Sequence, residues 1–88
     1  MPERAVQVVN LNGIHARPAA EIVKVAGTFR ADITIARDDL EVNAKSIMGV
    51  MMLAAECGST VRLRADGDDA DGALEALAVL ITSKFGES

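Results

Sequence analysis

Asn12-Gly13-Ile14-His15-Ala16-Arg17-Pro18-Ala19-Ala20 reads as a strand-to-helix junction, and the rest of the chain arranges itself around it. Asn12-Gly13 is a turn signal that ends whatever precedes it. Pro18 fits a helix only in its first turn, where an N–H would have no intrahelical partner, so His15 must lie at or next to the N-cap. An imidazole titrates near pH ~6.5, so around neutrality most of it is the uncharged form whose ring nitrogen can act as a nucleophile. The first-turn N–H groups, those of Ala16 and Arg17, suit phosphate oxygens, and so does the planar Arg17 guanidinium. The junction is therefore a candidate phosphate-handling site.

Upstream, Arg4 to Asn10 alternates around Val6 and Val8, which predicts a strand with one buried face. Downstream, Ala19, Ile22, Val23 and Ala26 follow helical spacing from Ala16 to Ala26, and Gly27 is the stop. Ala31 to Arg37 and Leu40 to Asn43 form a hairpin across Asp38-Asp39. Ser46 caps a short apolar helix, Ile47 to Leu53, expected to end by Cys57-Gly58. Thr60 to Asp66 alternates again, and Leu74, Leu77 and Ile81 line a last helix running to about Lys84 with Asp69 or Asp71 as cap.

The resulting order is βαββαβα, an α+β open-faced sandwich. Strands of alternating polarity have one covered face, so the three helices belong together on one side of a four-stranded antiparallel sheet. A helical crossover leaves the first two strands pointing the same way, and placing the fourth between them makes every pairing antiparallel, in the order 1-4-2-3. Residues 1–88 are read as one small domain.

Composition narrows the function. The formal charge of -4 and the near absence of aromatic residues argue against nucleic-acid binding, which needs a basic face and stacking platforms. No run reaches membrane-spanning length, and a single Cys57 forms no internal disulfide and points to a reducing cytosol. Cys57 is expected to be a small packed hydrophobe. With two Phe and no Trp or Tyr, the core should be aliphatic. One histidine and one cysteine make no metal cluster. The acidic stretch Asp66 to Gly72 fails as a calcium loop, because a loop starting at Asp66 meets Ala70 at position five and Leu77 at position twelve. It reads as a turn and helix start.

The stretch from Gly13 to Ala20, with Lys45-Ser46-Ile47-Met48-Gly49-Val50-Met51, closely resembles HPr, the histidine-containing phosphocarrier of the bacterial phosphoenolpyruvate:sugar phosphotransferase system. The resemblance extends over the whole chain in length and element order. It implies a cytoplasmic, monomeric carrier rather than an enzyme, with no cofactor and no metal. His15 would take a phosphoryl group on Nδ1 from phosphorylated enzyme I and pass it to a histidine of a sugar-specific IIA protein, with Arg17 holding the phosphate. Ser46 would be a regulatory phosphosite for a dedicated kinase/phosphorylase, and its phosphorylated form a cofactor for a catabolite-control transcription regulator. Lys24 matches a lysine on the partner-facing surface of related carriers. Ile14 replaces a commoner leucine and Ala16 stands where some members have threonine; neither change removes a group the transfer needs.

The Ser46 helix is apolar on more than one face. Ile47, Val50 and Leu53 are assigned to core packing, and Met48 and Met51 to an exposed, adaptable patch. Lys24, Ile47, Met48 and Met51 are the candidate docking residues. Two alternatives stand beside the sugar-branch carrier: the nitrogen-branch paralogue, with the same chemistry and other partners, and a purely regulatory protein acting through Ser46 and the Met48/Met51 surface.

Overall fold

A computed structural model describes residues 2–87. The elements are β1 (Glu3–Gln7), α1 (Ala16–Ala26), β2 (Asp32–Arg37), β3 (Leu40–Asn43), α2 (Ile47–Met52), β4 (Thr60–Asp66) and α3 (Ala70–Thr82), followed by a 3-10 turn at Lys84–Gly86. The four strands lie in the expected order β1-β4-β2-β3, every pair antiparallel. Pairing of Val6 with Val61 and of Ile35 with both Leu63 and Val42 sets the register. That register lines the inward residues into one apolar face. The helices close over this face: α3 packs on β1 and β4, α1 lies between α3 and α2, and α2 rests on β3.

Burial follows the alternation. Val6, Ile33, Ile35, Val61, Leu63 and Ala65 are buried on the covered face, beneath Ile22 of α1, Val50 of α2 and Leu74, Leu77 and Ile81 of α3. Each such aliphatic chain removed from water contributes about 1.5–3 kcal/mol before chain entropy is counted. The open face is polar: Arg64 meets Glu3 at 3.1 Å and Glu41 at 3.5 Å, and Thr34 Oγ1 donates to Glu41 at 2.9 Å.

Several expectations need correction. β1 ends at Gln7 rather than Asn10, because the pairing with β4 breaks there: Val8 N–H still bonds Ser59 O at 2.8 Å, but Ser59 N–H is taken by Glu56 O at 2.9 Å. α2 stops at Met52, since Leu53 is its C-cap and Ala54 takes a left-handed φ of 49°. Cys57 is exposed, because the turn closed by Ser59 N–H on Glu56 O carries it outward. Ile47 is 42% exposed instead of packed. The covered stripe of α2 is Gly49, Val50 and Leu53, and Ile47 sits roughly 110° around the helix from its centre. The core is not wholly aliphatic: Phe85, beyond α3, is 4% exposed.

Asp69 is the N-cap of α3, but its carboxylate does not cap the helix. It accepts from the backbone N–H groups of Arg30 at 2.8 Å and Ala31 at 2.9 Å, tying the start of α3 to the start of β2. These bonds, Arg30 first, hold its pKa below the ordinary aspartate range.

Candidate functional site

The loop between β1 and α1 is fastened before the helix begins. Ile14 N–H donates to Ala55 O at 2.8 Å, and Gly13 N–H to Asn10 O at 3.1 Å. Gly13 has φ of +67°, and a Cβ there would stand 2.5 Å from Ala55 O, so only glycine fits. His15 follows as the N-cap of α1, with extended backbone and no capping bond from its side chain. Its carbonyl accepts from Ala19 N–H at 2.9 Å, while the imidazole stands 42% exposed. Among the described residues, the N–H groups of Ala16 and Arg17 have no acceptor, and Pro18 offers none. An exposed imidazole and two unfilled donors thus share one helix end.

Arg17 joins them through a residue absent from the sequence-based set. After α3, Lys84 and Phe85 take left-handed φ of 62° and 55°, which reverses the chain, buries the Phe85 ring and brings Glu87 back to the start of α1. Glu87 Oε1 lies 3.1 Å from His15 Nε2, and Oε2 accepts from one terminal nitrogen of Arg17 at 3.0 Å. The same Arg17 nitrogen donates to Phe85 O at 3.2 Å. Among the described residues the other guanidinium nitrogens have no acceptor, so Arg17 keeps an edge for an anion.

Asn10 completes the cluster. It is fully buried, and Nδ2 donates to Gly13 O at 2.7 Å and to Glu87 Oε1 at 2.8 Å, while Oδ1 has no partner among the described residues. The Asn10 hydrogen bond, then those from His15 and Arg17, hold the Glu87 carboxyl below the ordinary glutamate range. Glu87 is thus a carboxylate at neutral pH, and a ring nitrogen facing a carboxylate must carry the proton. The ring thus presents Nε2 to the carboxylate, and Nδ1 has no partner among the described residues.

Sequence reasoning brought His15, Arg17 and the Ala16 and Arg17 N–H groups together, and the structure places them at one helix end. It missed Asn10, Phe85 and Glu87. One signal was available: Phe85 is one of only two aromatic residues, lies past the last periodic helix position, and has to be buried somewhere.

Ser46 is the N-cap of α2, its Oγ accepting from Gly49 N–H at 3.2 Å. Met48, Met51 and Met52 are 71%, 42% and 66% exposed. Lys24, in the last turn of α1, is also exposed, and α1 and α2 pack side by side. No helix among the described residues is long and apolar enough to cross a membrane.

Comparison with known proteins gives concordant results. Residues 2–83 match the family model PTS-HPr, described as the PTS HPr component phosphorylation site. The chain is 47% identical to the phosphocarrier protein HPr of Cupriavidus necator, over 99% of this chain and 98% of the relative. It is 49% identical to the HPr of Treponema pallidum, over 99% of each. Its structure is similar to the crystal structure of HPr-C-His from Thermoanaerobacter tengcongensis, with a TM-score of 0.95 and 48% identity, covering 100% of this chain and 99% of that one.

Proposed function

The chain belongs to the HPr family, phosphocarriers of the phosphotransferase system rather than enzymes, and on that basis we propose that His15 is the residue that carries the phosphoryl group. In this reading His15 Nδ1 attacks the phosphorus of phosphorylated enzyme I. The new N–P bond forms as the donor histidine's N–P bond breaks, and the phosphoryl group later leaves for a histidine of a sugar-specific IIA protein by the same chemistry in reverse. Charge spreads over the equatorial oxygens during transfer, and positioning with electrostatic stabilisation is most of what a protein can contribute. The Ala16 and Arg17 N–H groups and the open edge of the Arg17 guanidinium supply it.

The observation that carries the reading is the exposed imidazole at the start of α1, beside two unfilled donors and a cation. In-line transfer requires each partner to reach the ring from outside, and an N-cap on the surface gives that access. The whole chain acts as one carrier domain, monomeric and cytoplasmic. Lys24, Ile47, Met48 and Met51 supply the docking surface, where adaptable methionines allow different partners to be met in turn.

Ser46 is assigned a regulatory role on the same surface. A phosphate at the start of α2 would be tolerated by the helix and would add about -1.5 to -2 charges, which repel an acidic donor. A Ser46 kinase/phosphorylase and a catabolite-control regulator are the partners that this reading calls for.

The test is reconstitution with phosphoenolpyruvate, enzyme I and a IIA protein of the sugar branch. Phosphoryl groups should reach IIA only when the carrier is present, and Ser46→Asp should slow uptake. Transfer only from a nitrogen-branch donor would reassign the branch, and normal uptake by Ser46→Asp would remove the proposed switch. No uptake from any competent donor would favour a purely regulatory protein.

A further inference from the structure

We propose that Glu87 is a positioning residue that fixes the tautomer of His15 and thereby selects the nitrogen at which the phosphoryl group is carried. The inference rests on the carrier reading for its consequence, and on local geometry for its substance.

Glu87 Oε1 is 3.1 Å from Nε2 and accepts at the same time from Asn10 Nδ2 at 2.8 Å. Asn10 is itself immobilised, fully buried and donating to Gly13 O at 2.7 Å. Gly13 O also accepts from the His15 backbone N–H at 3.1 Å. The carboxylate is thus anchored to the same loop that carries the ring. Its second oxygen is held by Arg17 at 3.0 Å, which fixes the plane of the group. An exposed imidazole with no partner exchanges its proton between both nitrogens; one whose Nε2 faces an anchored anion keeps it there.

Two consequences follow for Nε2. It has no lone pair to offer, and the carboxylate occupies the space a phosphate would need and repels it. Nδ1 has the lone pair, and no donor among the described residues occupies it. The selection is made by a residue 72 positions away in the chain, delivered by the left-handed Lys84-Phe85 turn and the buried Phe85 ring.

Ring-nitrogen NMR of the 15N-labelled full chain near pH 8, with no phosphoryl donor present, tests this directly. In the wild type, Nε2 should give a protonated signal and Nδ1 an unprotonated one, with the minor tautomer negligible. Glu87→Ala should raise the Nδ1–H tautomer several-fold, toward the mixture of a free imidazole, with the amide spectrum of α1 retained. Glu87→Gln should keep the wild-type pattern, because Asn10 Nδ2 demands an oxygen on the His15 side. Wild-type behaviour of Glu87→Ala would overturn the proposal, and so would an equal shift in both variants. Because no phosphoryl donor is used, failed uptake by a chain whose tautomer is fixed counts against the carrier reading alone.

Discussion

Gly13 and Arg17 show how much of the site depends on single side chains. Gly13 combines a left-handed φ with a backbone oxygen 2.5 Å from where a Cβ would stand, so Gly13→Ala forces the Ala55 segment to move. We expect it to lower stability by about 1–3 kcal/mol, read as a lower urea midpoint. Arg17 is exposed and its loss should leave stability almost unchanged, while the transition state loses a charged hydrogen-bond donor. Arg17→Ala should slow phosphoryl uptake by about 10- to 100-fold, the equivalent of ~1.5–3 kcal/mol, and Arg17→Lys should recover only part of it, lacking the planar fork. His15 and Arg17 were legible because Pro18 fixes where the helix begins. Asn10 and Glu87 were not: an asparagine at a strand end and a glutamate after a helix carry no local pattern. Their meaning lies in a contact between distant segments.

Among the elements, the helix starts were easier to read than the stops. Ser46 caps α2 as expected, so Ser46→Ala should cost about 1 kcal/mol by the loss of one bond to a first-turn N–H. The end of α2 depends on Ala54 accepting a left-handed conformation, which a sequence of good helix formers does not announce. Asp69 illustrates the reverse case. Its position at the start of α3 was legible, but its carboxylate serves β2 through Arg30 and Ala31. Because its pKa is lowered in the folded chain, its contribution is complete above the ordinary aspartate value of about 3.9 and is lost as the pH falls through the lower native value. Acid unfolding of Asp69→Asn should therefore show a flatter dependence on pH in that window, with a lower midpoint than wild type at neutral pH. A wild-type acid profile would show that the carboxylate does not tie the two elements together.

The molecule as a whole separates a packed interior from an apolar patch left in water. Strand order and helix placement were legible, since four strands joined by two helical connections and one hairpin leave few antiparallel arrangements. The return of the segment after α3 was not, because it depends on the left-handed turn and on room for Phe85 in the core. The separation predicts opposite phenotypes. Leu77→Ala, at a fully buried site, should cost about 2–5 kcal/mol and leave partner affinity per folded molecule intact. Met48→Ala, 71% exposed, should change stability by no more than about 0.5 kcal/mol and weaken donor and acceptor binding, as measured by titration calorimetry.

The central claim is that one exposed imidazole at the start of α1 carries the phosphoryl group, and intact mass analysis after incubation with phosphoenolpyruvate and enzyme I tests it most directly. The account predicts a gain of one phosphoryl group that is lost in acid, and no gain in His15→Ala. Phosphate retained by His15→Ala, or an acid-stable product on the wild-type chain, would contradict it.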